Sequence, residues 1–232
     1  MRDLAETPVW PLDGTCGGAI TRSSVCYLRE RSDGPRYVDV RDSAARGEAA
    51  PLLCDPLTGL LAYDSFAQHL TMELAAWLPH GAHLAIGDVD GLKEYVTRSN
   101  TADPRLFGHL AGNHCMKVIG TIVRRWAARR VGEWRAMACG TFGGDEVIVA
   151  VVGGRPEDFV HGVTALAEDI RNEAPRPCSF ACRSVKPRLE PPADSAAFYA
   201  EWVGAVDRAL FEFKASRAVS GKVYSLDAWA SP

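Results

Sequence analysis

The sequence lacks the features of an exported or membrane-bound protein. No stretch approaches the roughly 18 consecutive apolar residues that a membrane-spanning helix requires. The N-terminus has no basic segment followed by an apolar run, the pattern typical of a secretory leader. Seven cysteines occur among 232 residues, but they form no paired C-x-x-C set with metal-ligand spacing, and an odd number is unusual for a secreted disulfide framework. We therefore expect a cytoplasmic protein with reduced thiols and no membrane partner, in which Cys178 and Cys182 are buried thiols.

A strong excess of basic charge is also missing. The formal net charge is −3, and residues of both signs are spread along the chain, so no basic stripe is available for the backbone of a nucleic acid. We expect no DNA or RNA partner, and any binding of phosphate must be local. Hydrophobic residues make up 47% of the sequence, which is enough for one substantial core.

The first fifty residues differ in pattern from the rest. Two short β-like runs, Val25–Leu28 and Arg36–Val40, flank a turn signal at Ser32–Pro35, and small polar residues follow them. We predict that residues 1–50 form an N-terminal extension with a β-hairpin and a linker, and that residues 51–232 form the main domain.

Helix and strand patterns alternate in the main domain. Apolar residues at helical spacing predict four helices, around residues 66–77, 115–126, 159–170 and 199–213. Predicted strands are Ala82–Gly87, which delivers Asp88 at its end, a hairpin of Met137–Cys139 with Val147–Val152, and a closing strand Lys222–Leu226. This alternation predicts an α/β sandwich with a mixed or antiparallel central sheet flanked by helices.

Individual polar residues of these helices have predicted positions. Asp64 is expected to cap the first helix. Four arginines of the second helix are expected on or near its outer side: Arg124, Arg125, Arg129 and Arg130.

Acidic residues occur at two places where a divalent cation could bind. Asp88 and Asp90 follow a predicted buried strand, and Gly143–Glu146 forms the predicted hairpin turn. Carboxylates from a strand end and a tight turn can surround a hard cation and leave room for substrate phosphates. The adjacent glycines, Gly143 and Gly144, allow the backbone to approach a triphosphate. Each segment alone is a common surface feature, whereas together they predict a Mg²⁺ or Mn²⁺ site.

Five segments resemble, in order, the motifs of the GGDEF family of diguanylate cyclases. They are Asp55–Leu60 (D-x-LTGL), Asp88–Lys93 (D-x-D-x-F-K), Gly108–Asn113 (GHxxGD), Gly143–Val147 (GGDEF, with Val in the last place) and Val206–Lys214 (ADxALYxAK). The resemblance identifies a divergent member and implies a GGDEF-like, nucleotidyl-cyclase-like sandwich.

The resemblance also implies a function and a role for each matched residue. Such an enzyme condenses two nucleoside triphosphates into a cyclic dinucleotide and releases pyrophosphate, with two domains facing each other in an at least transient homodimer. Asp88, the Val89 carbonyl, and Asp145 or Glu146 would hold the metal ion, and Glu146 would help to deprotonate the 3′-hydroxyl. Lys93 and Lys214 would neutralise phosphate charge. The expected catalytic residues are Asp88, Asp145, Glu146 and Lys93, and the expected nucleotide-binding positions are Gly143, Gly144, Asn113, Val96 and Lys214.

Departures from the family pattern concern the nucleobase. Val96 and Thr97 stand where the family has Asn and Asp, and Asn113 replaces an Asp. The stretch after Lys93 is about eight residues longer than usual, and in it Asn100 or Asp103 is either a substitute base reader or an ordinary loop former. The product is therefore of the cyclic di-GMP type by family, with an adenine-containing product from ATP as the alternative to GTP chemistry.

Two other functions stay open at the level of sequence. One is a non-catalytic GGDEF module that binds a nucleotide or a protein partner, and the other is an enzyme that acts on a single nucleotide. The R-x-x-D segment of the inhibitory product site has no match, since Trp134 and Met137 occupy its ends and Arg135 reads as a surface residue. His109 is expected to cap or pack against a helix rather than bind nucleotide.

Overall fold

The computed structural model describes residues 27–31, 34–37, 53–103, 109–130, 132–216 and 220–226. The strands are β1 (Tyr27–Arg31), β2 (Gly34–Tyr37), β3 (Ala82–Val89), β4 (Ala136–Thr141), β5 (Glu146–Val152), β6 (Cys178–Val185) and β7 (Val223–Leu226). The helices are α1 (Tyr63–Trp77), α2 (Leu92–Ala102), α3 (Leu110–Arg129), α4 (Pro156–Glu173) and α5 (Ser195–Ala215), and a 3₁₀ turn (Leu78–His80) follows α1.

One mixed sheet organises the molecule. Its strand order is β2-β1-β4-β5-β3-β6-β7. All neighbouring strands are antiparallel except β6 and β7, which are parallel. The predicted α/β sandwich with a mixed central sheet is confirmed.

The sheet is covered by helices on both faces. Leu84 and Ile86 of β3 pack with α1 and α5, whereas Ala85 between them packs with α3 and α4. Successive residues of a strand point to opposite faces, so a strand that is buried on both faces is apolar at nearly every position; the buried exception in β3 is His83. This explains why the apolar run from Ala82 lies at the centre of the sheet and brings Asp88 to its edge.

The predicted helical stripes are buried. Phe66, Leu70, Leu74 and Trp77 of α1 are all within the core, and the predicted apolar positions of α3, α4 and α5 are buried in the same way, except for Phe213 near the end of α5, which is half-buried. Cys178 and Cys182 are buried free thiols of β6, as predicted. In the described part of the chain, no helix is both long and apolar enough to cross a membrane.

Two predictions about polar residues on these helices are wrong. Helix α1 begins at Tyr63 with Ala62 at the capping position, so Asp64 lies in the first turn, where its charge is favourable to the helix dipole. Arg124 is buried instead of facing outward. Its guanidinium Nε donates to the Gly120 carbonyl at 3.3 Å, and a Cβ on Gly59 would lie 3.2 Å from Arg124 Cζ. Gly59, with a φ of +68°, thus lies directly against this side chain in the turn before α1.

The stretch after Lys93 contains a helix, so Asn100 is not the loop former that one of its two interpretations makes it, and its alternative role in base reading stays a prediction. Asn100 lies within α2, and Asp103 follows its last residue. Gly91, with a φ of +62°, makes the turn that starts the helix, and Leu92 and Tyr95 pack against the core.

The N-terminal hairpin is present with shifted bounds. Leu28 of β1 is paired with Tyr37 of β2, and Tyr27 is paired with Ala138 of β4, so the hairpin extends the same sheet. The predicted turn residues Ser32 and Asp33, the predicted linker and the boundary near residue 50 lie outside the described residues.

Candidate functional site

The acidic residues singled out in the sequence meet at one edge of the sheet. Asp88 of β3 is the register partner of Glu146 of β5. The Val89 amide donates to the Asp145 carbonyl at 3.2 Å. Because β3 and β5 are antiparallel, the end of one strand lies beside the start of the other. The strand end and the hairpin turn are therefore side by side, as the sequence predicted.

The two glycines of the turn have different surroundings. A Cβ on Gly143 would lie 2.5 Å from Glu146 Oε2, so the Glu146 carboxylate rests against the turn where a side chain would otherwise be. At Gly144, a Cβ would have no heavy atom within 4 Å. The turn is held by the Phe142 amide, which donates to the Glu146 carbonyl at 3.1 Å. Its tip presents open backbone, as an approaching phosphate requires.

Lys214 reaches this edge from the last turn of α5. Its Nζ donates a hydrogen bond to Asp88 Oδ1 and lies 3.3 Å from Asp90 Oδ1. The sequence placed Lys214 among the groups that contact phosphate, and the structure adds that its ammonium group lies between two carboxylates of the site.

Asp90 was part of the acidic motif but had no predicted role. It is 8% exposed, and its Oδ2 accepts hydrogen bonds from Ser179 Oγ at 2.7 Å, Ser220 Oγ at 2.8 Å and the Gly221 amide at 2.8 Å. Its carbonyl accepts from Arg176 Nε at 2.7 Å. These bonds join the end of β3 to β6 and to the segment before β7. No local pattern reveals them, because the partners are up to 131 residues away in the sequence.

The site carries more negative than positive charge. Burial, together with the charges of Asp88, Asp207 and Asp145, raises the pKa of Glu146 to about 7, and Lys214 only partly opposes this. Burial also raises the pKa of Asp88, against the hydrogen bond from Lys214. Burial alone would lower the pKa of Lys214, but its hydrogen bond to Asp88 and the charges of Asp88 and Asp90 raise it. Asp207 of α5, which belongs to the last matched motif but had no predicted role, is thus a further acid whose charge acts on the site.

The donor set at this edge suits a hard divalent cation. Among the described residues, no group of three or more His, Cys, Asp or Glu side chains stands arranged around a metal position. The resemblance assigns the ligand role to the carboxylates of Asp88, Asp145 and Glu146 and to the Val89 carbonyl, and oxygen donors of this kind are those that Mg²⁺ and Mn²⁺ prefer. Two of these carboxylates have raised pKa values, so added positive charge would stabilise their ionised forms.

The predicted phosphate and base positions lie on the neighbouring helices. Lys93 is exposed in the first turn of α2 and has no ion pair within the described chain. Val96 of α2 is half-buried, and its Cγ2 would lie 3.2 Å from a Cβ on Gly112. Asn113, which follows Gly112 in the sequence, is exposed in the first turn of α3. The structure therefore brings Val96 to the part of α3 that holds Asn113, while Lys93 makes no ion pair with the carboxylates.

The remaining sequence predictions are resolved by burial. Trp134 and Met137 are 4% and 1% exposed and belong to the core, whereas Arg135 between them is exposed, as predicted. His109 occupies the capping position of α3, but its side chain makes no capping hydrogen bond and is exposed, so the side chain has neither of its two expected roles, capping or packing.

Comparisons with known proteins agree on the fold. Neither a family model nor a curated protein matches this sequence, but solved structures do. The GGDEF domain of DgcB from Caulobacter crescentus, in complex with c-di-GMP, superposes with a TM-score of 0.57 at 17% identity, covering 74% of this chain and 92% of that one. Diguanylate cyclase SiaD from Pseudomonas aeruginosa, in complex with its activator SiaC, gives 0.59 at 23% identity, covering 80% of this chain and 65% of that one.

A third solved structure extends this likeness. The GGDEF domain of FimX from Pseudomonas aeruginosa gives a TM-score of 0.54 at 16% identity, covering 74% of this chain and 98% of that one. At these identities the likeness establishes the fold, and the chain has the fold of GGDEF domains.

Proposed function

We propose that this chain, which has the fold of GGDEF domains, is a nucleotidyl cyclase that uses Mg²⁺ or Mn²⁺. It condenses two nucleoside triphosphates into a cyclic dinucleotide and releases pyrophosphate. The observation that carries the proposal is the pairing of Asp88 with Glu146 across two strands at an edge of the sheet, beside a turn whose Gly144 is open to solvent.

The metal ion would be held by the Asp88, Asp145 and Glu146 carboxylates and by the Val89 carbonyl. When bound, it would neutralise charge on the triphosphate and on the leaving pyrophosphate. The 3′-oxygen of one nucleotide forms a bond to the α-phosphorus of the other, and the bond from that phosphorus to the bridging oxygen of pyrophosphate breaks. Glu146, beside the turn, receives the proton of the 3′-hydroxyl.

Other residues position the triphosphate. The Gly143 and Gly144 backbone allows close approach of phosphate oxygens. Lys93 and Lys214 supply positive charge to the β- and γ-phosphates, since positioning and electrostatic stabilisation dominate phosphoryl transfer. A cyclic product contains two such linkages, so two chains would face each other in an at least transient homodimer.

The base-reading positions favour adenine at least as much as guanine. Guanine presents two adjacent donors, N1–H and N2–H₂, which a carboxylate accepts together, whereas the amide of Asn113 offers one acceptor and one donor. Adenine presents a donor beside an acceptor, which an amide matches. Val96 provides no polar group for the base. We therefore propose that ATP is accepted at least as well as GTP.

The proposal is tested by incubating the purified full chain with each nucleoside triphosphate and Mg²⁺ or Mn²⁺, followed by mass analysis of all products. We expect a cyclic dinucleotide and pyrophosphate. Asp88→Asn should lower turnover by at least about a hundredfold, because it removes a charged ligand and keeps the side-chain volume. Thermal melting of the same variant should show an intact fold.

The other outcomes separate the alternatives. A mononucleotide product would support an enzyme that acts on a single nucleotide. Tight nucleotide binding without any product would support a non-catalytic module. Wild-type turnover in Asp88→Asn would contradict the assignment of the metal site.

A further inference from the structure

The two aspartates at the end of β3 have very different surroundings. Asp90 is buried, and its Oδ2 already accepts three hydrogen bonds, from Ser179, Ser220 and the Gly221 amide. Asp88 is half-buried and bonds to the ammonium group of Lys214. Asp90 is thus fixed in the fold, whereas Asp88 has a carboxylate that a cation can take over.

Lys214 connects these two residues. Its Nζ bonds to Asp88 Oδ1 and lies 3.3 Å from Asp90 Oδ1. The lysine side chain is 28% exposed, so the ammonium group has access to solvent on one side. It lies on the carboxylate that the proposed function assigns to the metal ion, and one position cannot hold both cations.

We propose that Lys214 is an internal counter-ion that occupies Asp88 until a divalent cation displaces it, and that Asp90 is the positioning residue that keeps the displaced ammonium group at the site. This inference rests on the proposed function, because it needs Asp88 to bind a metal ion.

The physical argument follows from charge and from anchoring. Without a divalent cation, Asp88, Asp145 and Glu146 repel one another, and a nearby ammonium group reduces that repulsion. A divalent cation has twice the charge and prefers carboxylate oxygen, so it replaces the ammonium group on Asp88. The contact of the Lys214 ammonium group with Asp90 Oδ1 does not depend on Asp88, because three hydrogen bonds hold Asp90 in place. Lys214 therefore remains where an incoming triphosphate needs positive charge.

The first test measures Mn²⁺ binding to the full chain without nucleotide, by calorimetry and by the Mn²⁺ electron paramagnetic resonance signal. Lys214→Gln removes the competing cation and should tighten Mn²⁺ binding by about 3- to 10-fold. Lys222→Gln is the matched control, because Lys222 is an exposed lysine just before β7, and its loss changes the net charge equally. We expect less than a 2-fold change for the control.

The outcomes separate this inference from the proposed function. If neither the wild type nor any variant binds Mn²⁺, even with a triphosphate present, both fail. If the wild type binds Mn²⁺ and Lys214→Gln binds it no more tightly than Lys222→Gln, the proposed function stands and the counter-ion role is wrong.

The second test asks whether Asp90 acts through Lys214. Without the Asp90 carboxylate to hold it, the Lys214 ammonium group should compete more strongly with Mn²⁺ for Asp88, so Asp90→Asn should weaken Mn²⁺ binding. This effect should fall by at least half when Lys214 is already glutamine, since residues that act through each other are not additive. Ser220→Ala, which removes one of the three bonds to Oδ2, is a milder variant that serves if Asp90→Asn does not fold. Equal effects in both backgrounds would show that Asp90 is only structural.

Discussion

The charge of Glu146 depends on its burial and on the neighbouring carboxylates. Its pKa is about 7 in the native state against an ordinary value of 4.5, chiefly because of burial and then because of Asp88, Asp207 and Asp145. Between these two pH values the native state binds more protons than the unfolded state. The free energy of unfolding of the metal-free protein should therefore fall as the pH rises from 4.5 to 7, and the decline should end above pH 7.

This pH dependence leads to a prediction for Glu146→Gln. In this variant the free energy of unfolding should not show the decline that Glu146 causes between pH 4.5 and 7. The variant should be more stable than the wild type at pH 8, by about 1 kcal/mol or less because solvent screens a half-exposed group. Urea denaturation at pH 5, 6, 7 and 8 in the presence of a chelator measures it. Glu201→Gln is the control, since Glu201 is exposed on α5. A Glu146→Gln profile parallel to that of the wild type would contradict the assigned ionisation.

The proposed base preference depends chiefly on Asn113, whose side chain is exposed. Asn113→Asp restores a carboxylate that accepts both donors of guanine, and a satisfied pair of this kind contributes about 1–3 kcal/mol. We expect the ratio of GTP affinity to ATP affinity to rise by about tenfold or more, measured by competition binding. Asn172→Asp, an exposed asparagine of α4, adds the same charge elsewhere. A wild type that prefers GTP tenfold, unchanged by Asn113→Asp, would exclude Asn113 from base reading.

Residues differ in how far the sequence predicted their place. The sequence predicts that Asp88 and Glu146 lie close together, because a strand end and a tight glycine turn are both recognisable from local patterns. Asp90 and Asp207 were not assigned, because their environment depends on contacts across the sheet: Asp90 bonds to Ser179 and Ser220, which are 89 and 130 residues away. Local spacing carries no information about such partners.

At the scale of secondary structure, long apolar stripes were predictable and short or polar elements were not. The stripes of α1, α3, α4 and α5 give helical spacing over several turns. Helix α2 spans 11 residues, and none of them is fully buried, so it has no such stripe. Its start depends on the positive φ of Gly91. Arg124 of α3 was also not predictable, because it is a charged residue that is buried beneath the turn at Gly59.

The packing of α3 against the turn before α1 can be tested at Gly120. A Cβ there would lie 2.4 Å from the Thr58 carbonyl oxygen. Thr58 cannot easily move, because its amide and hydroxyl both donate to Asp55 Oδ2, at 2.8 and 2.6 Å. Gly120→Ala should lower the free energy of unfolding by about 1–3 kcal/mol, measured from urea midpoints.

Gly204 of α5 provides the matched control. A Cβ at Gly204 would lie 3.3 Å from Arg208 Nη1, the end of a flexible side chain. Gly204→Ala should therefore be neutral or should stabilise the protein by up to about 1 kcal/mol, the usual gain for alanine in a helix. Equal midpoints for the two variants would mean that α3 is not packed closely against Thr58.

At the scale of the whole molecule, the layered fold can be predicted from the alternation of apolar runs and stripes. The outermost strands of the sheet cannot be predicted in this way. Strand β1 pairs with β4, so the N-terminal hairpin extends the sheet beyond the segment that the motifs cover. Its strands were predicted two or three residues away from their observed positions, because strand bounds are set by pairing with a partner and only weakly by the strand's own residues.

The proposed reaction also has a consequence for the assembly of the molecule. Asp88 and Glu146 come together at one edge of each chain, and each pairing would direct one 3′-hydroxyl to one α-phosphorus. A cyclic dinucleotide needs two such linkages, so two chains must meet with their nucleotides facing each other. If the dimer is transient, turnover per chain should increase with protein concentration and level off once most chains are paired.

Turnover per chain over a hundredfold range of protein concentration, together with sedimentation in the presence of a non-hydrolysable triphosphate, measures this dependence. Adding excess Asp88→Asn chain to a fixed, saturating amount of wild type should lower the yield of cyclic product, because a mixed pair retains one working edge and forms one linkage. An equal mass of an unrelated protein is the control. Turnover per chain that stays constant throughout, with monomers at every concentration, would show that one chain completes the reaction or that the cyclic product is not made.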